Sequence, residues 1–137
     1  KKQTSMVVFD TSIIIDYLRR KYDVKSPFEE IVSREKKGNL ALSILSVQEL
    51  YRGKSVADPD KEKLVLSVVS GLKILPYTYE IAKRAGEIAR ANNLLTFVDA
   101  AIAATAITYG ASLATLDKRD FVGIHGLELY RSLVPIP

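Results

Sequence analysis

Four acidic residues stand where short apolar runs end or where helices begin. They are Asp10 in Val7-Val8-Phe9-Asp10-Thr11-Ser12, Glu49 in Leu45-Ser46-Val47-Gln48-Glu49-Leu50, Asp99 in Phe97-Val98-Asp99-Ala100, and Asp117 in Ala114-Thr115-Leu116-Asp117-Lys118. A parallel sheet gathers such strand ends along one edge. Carboxylates gathered there raise one another's pKa unless a cation sits among them. Oxygen ligands without thiolate or spare imidazole select hard cations, Mg2+ or Mn2+, over zinc. The chemistry open to such an edge is metal-assisted hydrolysis, in which the cation acidifies a water and neutralises charge in the transition state.

Each acid alone has a bland explanation. Ser46-Val47-Gln48-Glu49 matches a capping box, and Thr96-Phe97-Val98-Asp99 is the weaker Asp version. Asp10 can cap a first helix in competition with Thr11 and Ser12, and Asp117 can occupy a polar turn, Asp117-Lys118-Arg119-Asp120. The joint pattern outweighs these readings. Asp99 is the only charged residue between Arg90 and Asp117, in a segment otherwise built for burial. Asp10 lies between a valine-rich run and an isoleucine-rich helix, where an unpartnered acid is costly.

The elements that must position these residues follow from periodicity and punctuation. Residues 6–9 read as a buried strand and residues 12–21 as a helix. Pro27 opens a second helix, 27–37, stopped by Gly38. Residues 40–45 read as a strand, and Ser46 as the cap of a third helix carrying Val47, Leu50 and Tyr51. Asp58-Pro59 opens a fourth helix to about residue 70. A strand at 72–75, a helix at 79–92 and an alanine-rich central helix at 97–109 come next. Strands at 112–116 and 127–130 complete the pattern, and the tail 134–137 is expected to fray. Strands alternating with helices predict an α/β fold with a mostly parallel sheet of four to five strands. Sites in such sheets form at the carboxyl ends of the strands.

Bulk properties narrow the function. The chain has 137 residues, 47% apolar and 26% charged, which fits one globular domain, taken as residues 6–133. Met6 is a candidate start, and residues 1–5 are set apart as an N-terminal extension. The absence of cysteine excludes a disulfide scaffold, a thiolate zinc site and a cysteine nucleophile. It suits a reducing cytosol. The single histidine, His125, reads as a loop residue. A net charge of +4 gives weak support for a polyanionic partner. Apolar runs stay far below the length of about 18 residues that spans a bilayer, so no membrane association is expected.

Taken together, Val7–Ser12, Ser43–Leu50, Phe97–Ala106 and Leu113–Phe121 resemble a PIN-domain ribonuclease, most closely a VapC-type toxin, in the family's order and approximate spacing. The resemblance implies a three-layer α/β/α domain and a Mg2+-dependent endoribonuclease of a type II VapBC toxin–antitoxin system, in the cytoplasm. Asp10 and Asp99 would be the acids most directly tied to Mg2+, with Mn2+ a substitute. Glu49 would orient or activate water, and Asp117 would complete the pocket. Thr11 and Thr115 resemble the family's supporting hydroxyls. Asp120 matches an acid before the family's Phe, with a structural role preferred, and Asp16 is read as ion-paired.

RNA must meet this acidic pocket through cations at its rim. Lys118 and Arg119 flank Asp117, and Arg52 and Lys54 follow Glu49; Arg19, Arg20 and Lys21 end the first helix. Tyr51 and Phe121 read as core. The partners implied are an RNA substrate, a cognate VapB-like antitoxin, for which residues 46–70 are a candidate surface, and a second copy in a homodimer. The alternative is a catalytically idle PIN-like module that binds RNA or protein. A haloacid-dehalogenase-type phosphatase fits less well, because Ser12 stands where its second Asp is required.

Overall fold

The computed structural model describes residues 6–20 and 25–131. Lys21, the extension 1–5 and the tail 134–137 lie outside them. Five strands are formed among the described residues, β1 (Val7–Phe9), β2 (Leu40–Ser43), β3 (Lys73–Leu75), β4 (Ser112–Ala114) and β5 (Glu128–Leu129). The helices are α1 (Thr11–Arg19), α2 (Pro27–Arg34), α3 (Ile44–Arg52), α4 (Pro59–Val69), α5 (Tyr79–Ala91), α6 (Phe97–Thr108) and the single turn α7 (Lys118–Phe121). Short 3-10 turns at Lys37–Asn39 and Lys54–Ala57 join them.

The sheet order is β3-β2-β1-β4-β5 and its described pairings are parallel. The chain builds outward from β1 through β2 to β3, then crosses to β4 on the other side. The order therefore reverses between β1 and β4, and a crevice opens at the carboxyl ends of those two strands. Asp10 follows β1 and Thr115 follows β4, so the crossover itself brings these segments together.

Alternation along the strands sorts the core into two layers. Val8, Ala41 and Leu113 face α5 and α6, packing with Ile81, Ile88, Ile102 and Phe121. Val7, Phe9, Leu40 and Leu42 face the other way, against Ile13 and Ile14 of α1, Phe28 and Ile31 of α2, and Val65 and Val68 of α4. Both faces of the sheet are covered at its centre, which is why β1 is apolar throughout and β2 and β4 nearly so, while the edge strands carry Lys73 and Glu128. Full burial of each such Leu, Ile or Phe contributes about 1.5–3 kcal/mol. In α6, Ala100–Ala106 are buried, and the five alanines among them let α5 and the sheet approach closely.

Several boundaries differ from the sequence expectation. The second strand stops at Ser43, not residue 45, because the Ser43 hydroxyl accepts from the Leu45 N–H at 3.1 Å and caps α3. Ser46 is thus inside the helix and fully buried, not a cap. Helix α2 ends at Arg34; Glu35 is extended, and its carboxylate accepts from the Tyr130 hydroxyl at 2.8 Å, so Gly38 falls in the following 3-10 turn. Lys118–Phe121 forms a helical turn where a loop is expected. Phe121 is core, but Tyr51 is 39% exposed, with its hydroxyl on Glu62 at 3.3 Å.

Candidate active site

Asp10 occupies the N-cap position of α1, yet among the described residues its side chain makes no capping bond. Its own N–H donates to the Ala114 carbonyl at 2.8 Å, extending the β1–β4 ladder by one step and fixing the residue at the crevice. The residue is only 4% exposed. Two hydroxyls donate to the same oxygen, Oδ2, Thr115 Oγ1 at 2.7 Å and Ser12 Oγ at 2.9 Å. Burial lifts the Asp10 carboxyl above its usual range, and the charge of Asp117 adds to that; the Thr115 and Ser12 hydroxyls and the Thr11 N–H oppose it.

Asp99 sits in the first turn of α6, partly buried. Thr96 caps that helix, its hydroxyl accepting from the Asp99 N–H at 3.1 Å. The Asp99 carboxyl is pushed up to about 6, first by burial, then by the charges of Asp10, Glu49 and Asp120, against a bond from the Thr96 hydroxyl. Asp10, Glu49, Asp99 and Asp117 are therefore electrostatic neighbours, drawn from β1, α3, α6 and the end of β4. The helix dipole favours an acid at this position, and crowding and burial overcome it.

The bland readings fare unevenly. The Ser46–Glu49 box does not form, because Ser46 lies in the body of α3; its hydroxyl instead accepts from Thr11 Oγ1 at 2.8 Å in a buried contact. Asp117 precedes α7 without a side-chain capping bond among the described residues. Its N–H donates to Thr115 Oγ1 at 2.9 Å, which tethers the fourth acid to the first. Asp16 is paired with Arg20 at 2.9 Å, as expected. Asp120 is exposed on α7 but contributes to the field at Asp99. His125 is an exposed turn residue.

The cations divide. Arg119 borders a cleft of about 360 Å³ with Asn92, Asn93, Leu94 and Asp120. Lys118 lines a small cavity with Thr115 and Leu116. Arg52 is exposed at the end of α3. Arg19 shares with Glu49 a groove of about 370 Å³ between α1, α3 and α4, floored by Leu18, Leu50 and Val65. Sequence reasoning missed Ser12 and Ser46. The signal for Ser12 was its place two residues past Asp10; Ser46 was hidden by running the strand two residues too far.

The donor set suits a hard cation. It is all oxygen, and the charge of Asp10 raises the Asp99 pKa where a cation would relieve the repulsion. Among the described residues no three acidic or histidine side chains form a ready-made cage. Mg2+ characteristically takes one or two carboxylates and keeps several waters, so the Asp10–Asp99 pair fits it better than a Ca2+ cage. No helix among the described residues is long and apolar enough to cross a membrane.

Known proteins share this fold. Residues 7–125 match the PIN domain family. Ribonuclease VapC10 of Mycobacterium tuberculosis is 33% identical over 120 residues, covering 85% of this chain and 86% of that protein. Ribonuclease VapC1 of Rickettsia felis is 30% identical over 132 residues, covering 90% and 93%. The DNA-bound VapBC structure from Salmonella typhimurium superposes with a TM-score of 0.78 at 25% identity, over 92% of this chain and 97% of that one.

Proposed function

The chain belongs to the PIN-domain family, and on that premise we propose that it is a Mg2+-dependent endoribonuclease, the toxin of a VapBC-type pair acting on RNA in the cytoplasm. The observation that carries this reading is the acid edge itself, with Asp10 buried and tied through Thr115 to Asp117, and with the Asp99 carboxyl pushed up by burial and by the charges of Asp10 and Glu49. Carboxyls shifted by burial and by neighbouring charges cluster at functional sites. In this proposal Asp10 and Asp99 hold the cation, which when bound supplies an acidified water and neutralises charge on the phosphate. Glu49, partly exposed on α3, orients or deprotonates the attacking water. Asp117 closes the pocket on the β4 side, and Thr11 and Thr115 support it.

RNA reaches the edge over Arg119 and Lys118. Phe97, 73% exposed two residues before Asp99, offers an aromatic face on which an unstacked base of a single strand can stack. Arg52 is a weaker contact by the same reasoning. The groove holding Arg19 and Glu49 supports the antitoxin part of the proposal, since an apolar floor ending at a catalytic acid lets one partner cover both. Its α3 and α4 walls fall within residues 46–70, and its third wall, Ile15, Leu18 and Arg19, belongs to α1. A homodimer is part of the proposal through the VapC resemblance.

The test is sequencing of RNA 5′ ends after induced expression of the wild type and of Asp99→Asn. The expected result is new ends at discrete sites in the wild type alone. Identical end profiles for the two proteins would overturn the reading and favour an idle binding module.

A further inference from the structure

Ser12 Oγ donates to Asp10 Oδ2 at 2.9 Å and accepts from the Leu116 N–H at 3.2 Å. Thr115 Oγ1 donates to the same oxygen at 2.7 Å and accepts from the Asp117 N–H at 2.9 Å. The directions are fixed by chemistry: an amide N–H can only donate and a carboxylate can only accept. Two parallel relays therefore run from the backbone of the fourth-acid corner, through a hydroxyl, to one oxygen of the first acid. Neither hydroxyl bonds Oδ1. The carboxylate is held at one rotation, with one oxygen occupied and the other free of both hydroxyls.

The acids cannot hold this arrangement by themselves, since Asp117 and Asp99 both repel Asp10. Ser12 is in the first turn of α1, where a hydroxyl commonly caps backbone N–H groups. Here it turns instead toward the β4 side of the crevice and bonds a residue 104 positions away in sequence. A tether that merely closed the fold would not need to pass through the catalytic carboxylate.

We propose that Ser12 is a positioning residue, which fixes the rotation of the Asp10 carboxylate and locks the Thr115–Asp117 corner to it. The proposal rests on the cation-dependent reading above. Because charge-assisted bonds to ligating carboxylates commonly tune metal affinity 10–100-fold, loss of one of two such bonds is expected to act at about the lower limit.

The experiment compares the full-length wild type, Ser12→Ala and Ser12→Thr at pH 8. Mn2+ binding is followed by electron paramagnetic resonance, and cleavage of one single-stranded RNA oligonucleotide is followed with Mg2+. Ser12→Ala is expected to weaken Mn2+ binding about tenfold and to lower kcat with little change in KM. Ser12→Thr, which keeps the hydroxyl, is expected to restore both. A folded Ser12→Ala that binds Mn2+ and cleaves like the wild type overturns the positioning role alone. A Ser12→Thr protein as impaired as Ser12→Ala overturns that role equally. A wild type that neither binds Mn2+ nor cleaves overturns the proposed function, and the positioning role with it.

Discussion

Two helices in this molecule begin with the same local device and end in opposite electrostatic states. In α2 the Ser26 hydroxyl accepts from the Glu29 N–H at 3.2 Å, and Glu29 Oε1 accepts from the Ser26 N–H at 2.9 Å, a complete capping box. In α6 the Thr96 hydroxyl accepts from the Asp99 N–H at 3.1 Å. Both acids occupy the third helical position after a hydroxyl cap. The Glu29 carboxyl is held below its usual range, chiefly by the Ser26 N–H. The Asp99 carboxyl is pushed up to about 6, chiefly by burial and by Asp10. The cap is a property of a few adjacent residues; the charge state is set by what the sheet crossover brings alongside. An acid that a capping signature explains locally can still be a functional acid.

That contrast can be broken most sharply by removing one charge from each helix. Asp99→Asn or Asp10→Asn is expected to reduce RNA cleavage by at least about 100-fold, since a direct ligand should matter more than the groups behind it. Glu29→Gln is expected to leave cleavage within about twofold, because Gln also serves in a capping box. Equal losses in Asp99→Asn and Glu29→Gln, measured as kcat/KM, would erase the distinction.

Mg2+ should next separate the two regions by stability. At ten times its dissociation constant, a ligand specific for the folded state adds about 1.4 kcal/mol, or roughly 5 °C in a chain of this size. The wild type and Glu29→Gln should show this upward shift in a calorimetric melt at pH 8. Asp10→Asn and Asp99→Asn should not.

The smallest effect is the pH dependence of stability without metal, and its sign differs between the helices. The Asp99 pKa is raised, so the folded state binds the extra proton, and stability falls as pH rises from about 4 to about 6. After allowance for solvent screening the loss is on the order of 1 kcal/mol. The Glu29 pKa is lowered, so its contribution is present above its ordinary 4.5 and lost as pH falls through the folded value. Urea midpoints from pH 3 to 7 should lose the falling limb in Asp99→Asn and the rising limb in Glu29→Gln. A falling limb that survives Asp99→Asn would reassign it to another group.

Much of this was legible in the sequence, for identifiable reasons. The valine-rich run before Asp10, the glycine and proline stops and the buried alanine helix gave the α/β alternation and the parallel sheet. The acids at strand ends led to the expectation of one acid edge; the strand order that sets Asp10 beside Thr115 and Asp117 at the β1–β4 switch point came only with the fold. What misled was local ambiguity. Ile44 and Leu45 are apolar and extend a strand on paper, but Ser43 caps the helix first and Ile44 is 41% exposed. That two-residue shift turned Ser46 from a cap into a buried partner of Thr11 and removed the capping explanation for Glu49. The box that does form, at Ser26 and Glu29, carries the same spacing as the one that does not. Ser12 was half legible: its place two residues past Asp10 is local, but its second partner, Leu116, is distant in sequence and is joined to it by folding alone.

The central claim, that the acid edge is a cation-dependent hydrolytic site, is tested most directly by RNA cleavage at pH 8. The purified wild type and Asp99→Asn are compared with Mg2+ present and after excess EDTA. The prediction is cleavage by the wild type that stops in EDTA and returns with Mg2+, and none by Asp99→Asn in either condition. Cleavage by the wild type that continues unchanged in excess EDTA would contradict it.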